Sequence, residues 1–296
     1  MRVIDPSQTS TADLYQYLVG VVNPRPIAFV STVDAAGTRN LAPYSFFNCF
    51  SANPPVLVFS ATRRAGPESR KDTLRNLEET GEAVINMVHF DIAHQMALTS
   101  VQVPHGTDEF ELSGLTPIPA DLVRPARVKE SPVQMECRLR QVVPLGDAPG
   151  AGHLIICEVI RMHLAEHIFD EQGRVDPQRI DLVGRLGRAF YVRVHGQAVK
   201  RIFQDRNPPV VGFHGLPEAL RHSPVLTGSE LARLAGLHQP PAPEAVHALG
   251  ENPEYRELLE AQDAVLAIQQ AAKQALARDD VNLAARLAWW STTHQT

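Results

Sequence analysis

Short segments with strand-like composition follow one another closely between residues 27 and 196, and this density most limits the possible folds. Each segment is rich in β-branched and aromatic residues and is bounded by turn-forming residues, as residues 27–33 are by the turn at 34–37. The other segments with this pattern are residues 56–60, 83–88, 133–139, 153–162 and 190–194. So many strands in one region predict a β-barrel.

Helical segments lie between these strands. Residues 71–81 have Leu74 and Leu77 on one face and end at Gly81, a residue type that commonly stops a helix. Residues 92–99 predict a second short helix, and residues 108–117 are expected to form a loop. The first region, residues 1–198, is therefore predicted to be one domain, mainly β with helices.

The composition changes after about Lys200, where β-branched runs give way to proline, alanine and leucine. Thr227 and Glu230 have the spacing of a capping box. Asn252 and Pro253 are expected to open a helix that runs to about residue 278 and carries a continuous apolar stripe. The stripe consists of Ala261, Val265, Ile268, Ala272 and Leu276. Residues 199–296 are predicted to form a separate C-terminal α-helical extension.

The composition excludes several classes of protein. The formal net charge of -5 comes with no basic stripe interleaved with aromatic residues, so a nucleic-acid partner is not expected. No segment approaches the ~20 apolar residues of a membrane span, and the first residues lack a signal-peptide pattern, so a cytoplasmic location without membrane attachment is expected. Three cysteines in no metal-binding spacing predict reduced, mostly buried thiols.

The segment NLAPYSFFN at residues 40–48 has the pattern of a binding site. Pro43 fixes its own φ and provides no N–H donor, and a strand follows shortly after the Pro54 and Pro55 break. We expect these residues to form a ledge whose backbone groups face a flat heterocycle. The residues concerned are Asn40, Ala42, Pro43, Tyr44, Ser45, Phe46 and Phe47.

A run of anion-binding residue types lies just before and at the start of the helix predicted at 71–81. Its members are Ser60, Arg63, Arg64, Ser69, Arg70, Lys71 and Thr73. A helix N-terminus presents unpaired N–H groups and the positive end of the helix dipole, which together bind phosphate. On charge alone, a solvated basic loop is the alternative interpretation, but the run lies one strand away from the ledge.

Two motifs that suggest other chemistries are discounted. His163 and His167 match the zinc-protease pattern H-x-x-E-H, but the preceding residues indicate a strand, in which positions four apart are ~13 Å apart and cannot share one zinc ion. Gly150 and Gly152 lack the third glycine and the following helix of a dinucleotide fingerprint. A conventional dehydrogenase is therefore not expected. Among the histidines, His105 is the first to test for a catalytic role, together with Asp108 and Glu109, on a predicted loop near the proposed site.

Seven motifs occur in order along the first two thirds of the chain: PRPIAFVST (24–32), NLAPYSFFN (40–48), PP (54–55), KDTL (71–74), Asn86, FELSGL (110–115) and GRLGRAFY (184–191). Together they resemble the flavin reductase-like family with an FMN-binding split β-barrel, in the branch of nitrilotriacetate monooxygenase component B and flavoredoxin. The resemblance covers about residues 15–196. It implies a homodimer with FMN close to the subunit interface.

The resemblance also implies an arrangement of the site. The isoalloxazine ring would lie against the backbone of residues 42–47, and the phosphate would lie near Lys71, Asp72 and Thr73. Ser31 and Thr32 would lie beside the ring or the ribityl chain. Arg25, held between two prolines, would face the flavin or the nicotinamide. An exposed surface position without a role in the site is an equally weighted alternative for Arg25.

The activity implied is that of an FMN-dependent NAD(P)H oxidoreductase, in which NADH or NADPH gives a hydride to the flavin and a partner monooxygenase receives the reduced flavin. The protein would supply orientation and electrostatics, with no catalytic side chain of its own. Two alternatives remain open. One is an FMN-carrying electron-transfer protein of the flavoredoxin type, and the other is an FMN enzyme with its own organic substrate.

Overall fold

The computed structural model describes residues 1–63, 70–202 and 210–294. The chain divides into two compact units, Met1–Lys200 and Arg201–Thr296. The strands of the first unit are β1 (Ala28–Val33), β2 (Arg39–Tyr44), β3 (Phe47–Ala52), β4 (Pro55–Thr62), β5 (Glu82–Met87), β6 (Pro117–Ile118), β7 (Arg127–Val128), β8 (Val133–Pro144), β9 (Gly152–Leu164), β10 (Val183–Gly187) and β11 (Phe190–Arg193). Its α-helices are α1 (Thr11–Val21), α2 (Asp72–Thr80), α3 (Ala93–Leu98) and α4 (Glu109–Ser113).

Within the described ranges, one seven-stranded sheet has the order β2-β1-β5-β8-β9-β4-β3, and every neighbouring pair in it is antiparallel. Its two edge strands, β2 and β3, are consecutive in the chain and are separated by a bend at Ser45 and Phe46. The sheet must therefore curl until its edges approach each other. The predicted mainly β, split-barrel fold is confirmed.

Strand β1 lies between two hydrophobic cores. Ala28 and Val30 point into the barrel core with Phe59 and Ile155, while Phe29 points into a second core on the other face. Every residue of β1 is buried as a result. This strand therefore holds β2, its partner on one side, in a fixed position.

Helix α2 packs on the barrel as the sequence predicts. Leu74 and Leu77 are buried against the barrel core, and Gly81 ends the helix in the left-handed conformation at φ 71°. The helix start is fixed against the sheet by this packing. The predicted helix at residues 92–99 is also confirmed, as α3.

The loop predicted at residues 108–117 is wrong in part. The Asp108 side chain accepts the N–H of Phe110 and caps the short helix α4. Aspartate favours both loops and helix N-caps, and Phe110 is buried in the second core. The buried phenylalanine explains why the segment turns into a helix here.

The second unit consists of helices around a core of its own. These helices are α5 (Glu218–Arg221), α6 (Gly228–Ala235), α7 (Pro243–Glu251), α8 (Pro253–Arg256), α9 (Ala264–Ala277) and α10 (Val281–Ser291). The C-terminal α-helical extension is confirmed, and Thr227 and Glu230 form the predicted capping box. The core includes Leu220, Leu234 and Ile268, each with no exposed surface. In the described part of the chain, no helix has the length and apolarity needed to cross a membrane.

The single helix predicted from Asn252 to residue 278 is wrong. Helix α8 ends at Arg256, and α9 begins anew after Asp263, whose side chain accepts the N–H of Leu266. Asparagine and aspartate both cap helix starts. Asp263 is such a second cap and lies within the apolar stripe, so it divides the predicted helix in two. Ile268, Ala272 and Leu276 of the stripe are buried on α9.

Candidate functional site

A cavity of about 280 Å³ lies in the first unit, along the free edge of β2. It is bounded by β2, the start of α2, the end of α3, α4, and the hairpin formed by β10 and β11. The structure brings eight of the predicted site residues to its wall: Asn40, Ala42, Pro43, Tyr44, Ser45, Lys71, Asp72 and Thr73. The predicted ledge and the predicted phosphate-binding helix start thus line one cavity.

A buried hydrogen-bond network joins the ledge to the helix. Asn40 Nδ2 donates to Thr32 Oγ1 at 3.1 Å and to Thr73 Oγ1 at 2.9 Å, and Asn76 Nδ2 donates to Thr32 Oγ1 at 3.1 Å. We call Thr32, Asn40, Thr73 and Asn76 the floor network. It connects β1, β2 and α2, so the distance between the two halves of the cavity is fixed by side-chain bonds.

The start of α2 faces the cavity with donors. Lys71 is the N-cap residue and makes no side-chain cap to the helix, so the first-turn N–H groups lack the usual side-chain acceptor. Lys71 Nζ lies 4.9 Å from the centroid of the Tyr44 ring. The Asp72 carboxylate is held by His105 Nδ1 at 2.8 Å and by Arg75 at 3.4 Å. Its charge is therefore partly balanced by Arg75, and it is also hydrogen-bonded to the His105 ring.

The predicted ledge begins as an edge strand of the sheet, β2. Ala42 pairs with Val30 of β1, and the outward N–H of Leu41 donates to Glu109 Oε2 at 2.9 Å. By the alternation of an antiparallel ladder, Pro43 also faces outward and has no N–H to offer. Glu109 is 6% exposed, and burial raises the pKa of its carboxyl group, opposed by the bond from Leu41.

Arg25 does not face the cavity as a free cation, and it is not a plain surface residue. It is 7% exposed and donates to the carbonyls of Val19 at 2.7 Å, Val22 at 2.6 Å and Leu186 at 3.2 Å. Its Nε also lies 3.3 Å from Ser45 Oγ. The alternative of a plain surface arginine is wrong, because the carbonyls around its guanidinium hold it under the bend that ends the ledge. The position of Arg25 towards the flavin or the nicotinamide stays a prediction.

The cavity wall also contains residues that the sequence analysis does not assign to the site. We call Tyr15, Arg185 and Tyr191 the mouth. Arg185 Cζ lies 4.4 Å from the centroid of the Tyr191 ring. Both residues belong to the motif GRLGRAFY, so the signal was available in the resemblance. The role of Arg185 and Tyr191 in the site could not be predicted, because the hairpin that carries them meets α1 and β2 only in the folded chain.

Several predicted residues lie outside the cavity wall. Ser31 and Thr32 are fully buried in β1, one strand behind the ledge, and Thr32 acts there through the floor network. Phe46 packs on Tyr15 with ring centroids 6.3 Å apart. Phe47 packs against the barrel core.

Two more predicted residues belong to the segment after the ledge. Ser60 lies in β4, opposite Leu154 of β9. Arg64 falls outside the described residues, as does Ser69.

The H-x-x-E-H motif forms no zinc-protease helix. His163 lies in β9 and its Nε2 is 2.6 Å from Glu136 Oε1. Glu136 is buried and also accepts the N–H groups of Asp121 at 2.9 Å and Leu122 at 2.6 Å. These bonds occupy the carboxylate, so the proximity of Asp121, Glu136 and His163 is explained by hydrogen bonding within the protein.

The donor set of the cavity fits a flavin mononucleotide. At one end, Lys71, the Thr73 hydroxyl and the first-turn N–H groups of α2 provide the cation and donors that a phosphate needs. Along the side, the edge of β2 at Ala42, Pro43 and Tyr44 provides a flat surface for a ring. No backbone N–H projects from this surface at Pro43. A phosphate and a planar ring can therefore each meet suitable groups.

Known proteins resemble this chain in sequence and in fold. The family described as "Flavin reductase like domain" matches residues 22–179. The crystal structure of nitrilotriacetate monooxygenase component B from Bacillus cereus is 36% identical, covers 69% of this chain and 98% of that chain, and has a TM-score of 0.63. That of Pseudomonas fluorescens 2-nitrobenzoate 2-nitroreductase NbaA is 30% identical, covers 71% and 100%, and has a TM-score of 0.61.

A curated relative extends the comparison to an uncharacterized protein. The Aquifex aeolicus protein is 36% identical over 195 residues, which are 66% of this chain and 97% of the relative. The matched share corresponds in size to the first unit, which spans Met1–Lys200.

Proposed function

This chain belongs to the flavin reductase-like family, and from that premise we propose that it is an FMN-dependent oxidoreductase that takes a hydride from NADH or NADPH. The observation that carries the proposal is the floor network, which fixes the uncapped start of α2 beside the edge of β2. A phosphate site and a ring site joined in this way would suit the two ends of FMN.

The residues of the cavity would share the work of binding. Lys71, Thr73 and the N–H groups of α2 would hold the phosphate, and the β2 edge at Ala42, Pro43 and Tyr44 would support the ring. Bound FMN supplies the hydride-accepting chemistry. The chain's own contribution is to hold the phosphate and the ring in a fixed orientation, so that the reacting groups meet in a suitable geometry.

We further propose that the protein works as a homodimer and passes reduced flavin to a partner monooxygenase. The name of the Bacillus cereus relative, component B of a monooxygenase, supports the partner. Exposed apolar residues on α1 and β11 support the dimer: Leu18, Val21 and Phe190 are 49%, 76% and 61% exposed. Sedimentation of the wild type and of Phe190→Asp tests the dimer, and an unchanged monomeric mass in both would contradict it.

A second candidate is an enzyme that passes electrons from FMN to its own organic substrate. The name of the Pseudomonas fluorescens relative, a nitroreductase, supports it, and so does the mouth, which adds a cation and two tyrosines to the cavity wall. All residues lining the cavity belong to the first unit.

An anaerobic titration tests the proposed function. Protein reconstituted with FMN is freed of unbound flavin, its flavin content is measured, and NADH or NADPH is added while the visible absorbance of the flavin is followed. We expect about one FMN for each chain and bleaching by one of the two nucleotides. The proposal fails if the protein retains no FMN, or if neither nucleotide bleaches the bound flavin.

A further inference from the structure

Arg185 is a cation in the cavity wall with no acidic partner among the described residues. Among the described residues, its guanidinium makes one hydrogen bond, from Nη2 to the carbonyl of Arg188, and no carboxylate lies within ion-pair distance of it. That bond orients the guanidinium but leaves Nε and Nη1 without a protein acceptor in the described part of the chain. Arginine donors in this state are suited to a carboxylate, which they bind in a bidentate manner.

The surroundings of Arg185 favour an anion. The backbone of Arg185 pairs with that of Arg25, with N···O distances of 2.8 and 2.9 Å. Burial lowers the pKa of Arg25, and the charge of Arg185 acts in the same direction, which places the two positive charges close enough to repel each other. The acidic residues of the cavity wall, Asp72 and Glu109, have partners of their own. An incoming anion would relieve the repulsion between the two arginines.

Two aromatic rings accompany this cation at the mouth. Tyr15 and Tyr191 are 48% and 38% exposed, so both rings offer surface to a ligand. The Arg185 guanidinium already lies on the Tyr191 ring. Val101 and Val103 add apolar surface to the same cavity. Aromatic pairs gain energy beyond their buried area, so a flat ring is favoured here over an aliphatic chain.

We propose that the mouth is a binding subsite for a small aromatic carboxylate, with the carboxylate on Arg185 and the aromatic ring beside Tyr15 and Tyr191. The proposal rests on the proposed function, because it makes this acid the second ligand of the same FMN cavity. Arg185 is then a specificity residue, which selects the acid over neutral ring compounds.

Calorimetric titration of the full chain loaded with FMN tests the subsite. The ligands are benzoate, its neutral counterpart benzamide, acetate as an anion without a ring, and ADP as the anionic part of a nicotinamide nucleotide. We expect benzoate to bind at least about tenfold more tightly than benzamide, because its carboxylate can form a charge-assisted bidentate pair with a guanidinium and the neutral amide cannot. Acetate is expected to bind more weakly than benzoate.

Three variants locate the effect. Arg185→Gln is expected to reduce benzoate affinity to that of benzamide, and Arg185→Lys is expected to retain part of the preference because it keeps the charge but loses the fork. Arg188→Gln is the matched control, since Arg188 is exposed on the same hairpin and does not line the cavity. It removes the same charge and is expected to leave benzoate binding unchanged.

The outcomes separate this proposal from the proposed function. Equal affinities for benzoate and benzamide in the wild type, or unchanged benzoate binding in Arg185→Gln, would overturn the subsite. So would ADP binding that depends on Arg185 without benzoate binding, because the anion site would then serve the nucleotide. The flavin content of the wild type is measured first. Failure to load FMN counts against the proposed function, whereas normal loading without benzoate preference counts against the subsite alone.

Discussion

The floor network and the mouth differ in where their amide and guanidinium donors find acceptors. In the floor network, Asn40 and Asn76 direct their amide donors to threonine hydroxyls within the protein. At the mouth, Arg185 keeps donors without a protein acceptor among the described residues. The comparison indicates that the floor network maintains the shape of the cavity, whereas the mouth is available for recognition.

The largest effect is expected from the support beneath the ledge. Arg25→Ala removes a buried guanidinium from three backbone carbonyls, and we expect a loss of about 3 kcal/mol in the free energy of unfolding. Urea denaturation measures it. Arg140→Ala removes an exposed arginine with a surface ion pair and should cost less than about 1 kcal/mol. Equal losses in both variants would show that Arg25 has no special structural role.

Breaking the floor network is expected to rank second. Asn40→Ala leaves the buried hydroxyls of Thr32 and Thr73 without their shared donor, which should cost about 2 kcal/mol in the free energy of unfolding. FMN affinity should fall with it, because the two halves of the cavity are no longer tied. Asn48→Ala, in the exposed part of β3, is the control. A loss in Asn48→Ala as large as that in Asn40→Ala would contradict the distinction.

Removing the charge at the start of α2 should affect binding more than stability. Lys71→Ala is expected to weaken FMN binding about tenfold, or about 1.4 kcal/mol, because a charge-assisted contact to the phosphate is lost. Fluorescence titration with FMN and with riboflavin measures the effect, and riboflavin binding should change little. Lys129→Ala, an exposed lysine outside the cavity wall, should match the wild type. A similar loss for riboflavin would place Lys71 away from the phosphate.

Glu109 gives the cavity a pH dependence with a defined sign. Its pKa is raised by burial above the ordinary value of 4.5, so its protonated form stabilises the folded state. That stabilisation is fully present below the unfolded-state pKa and is lost as the pH rises through the folded-state pKa. Glu109→Gln should therefore gain stability relative to the wild type as the pH rises from 4.5.

Urea denaturation at a series of pH values measures this difference. Glu111 is an exposed neighbour on α4, and the free energy of unfolding of Glu111→Gln should change with pH in parallel with that of the wild type. A constant difference between Glu109→Gln and the wild type across the series would show that the Glu109 pKa is not raised.

The smallest effect is expected at the ledge residue closest to Arg25. Ser45→Ala removes a long hydrogen bond of 3.3 Å from Arg25 Nε, so stability should change by about 0.5 kcal/mol or less. FMN affinity should change less than about twofold if backbone groups support the ring. A large loss of FMN affinity in this variant would instead make the Ser45 hydroxyl a ligand of the flavin.

The sequence predicts local features of this molecule better than the pairing between them. The β1 segment, helix α2 and its stop at Gly81 follow from periodicity and from the conformational freedom of glycine. That β2 is an edge strand does not, because the edge is defined by strands distant in the chain. The burial of Arg25 was equally hidden, since its carbonyl acceptors come from α1 and from Leu186 on β10.

The candidate site shows the same division. Lys71 and the ledge residues carry recognisable chemistry in short motifs and were predicted. Tyr15 reaches the cavity from α1, and nothing local to this residue signals that position. Glu109 was predicted only as a residue to test, and Arg185 was named only as part of the motif GRLGRAFY, because their elements meet the cavity only in the folded chain. Residues that converge only after folding were therefore given no role in the site, whereas Lys71 and the ledge residues were.

The way in which the free edge of β2 is closed has a consequence for solubility. An exposed strand edge is a template for pairing with strands of other chains. Here a strand approaching β2 finds the Leu41 N–H already bound to the Glu109 carboxylate and finds no N–H at Pro43. The carboxylate and the proline thus protect this edge of the sheet, beside the cavity, from edge-to-edge aggregation.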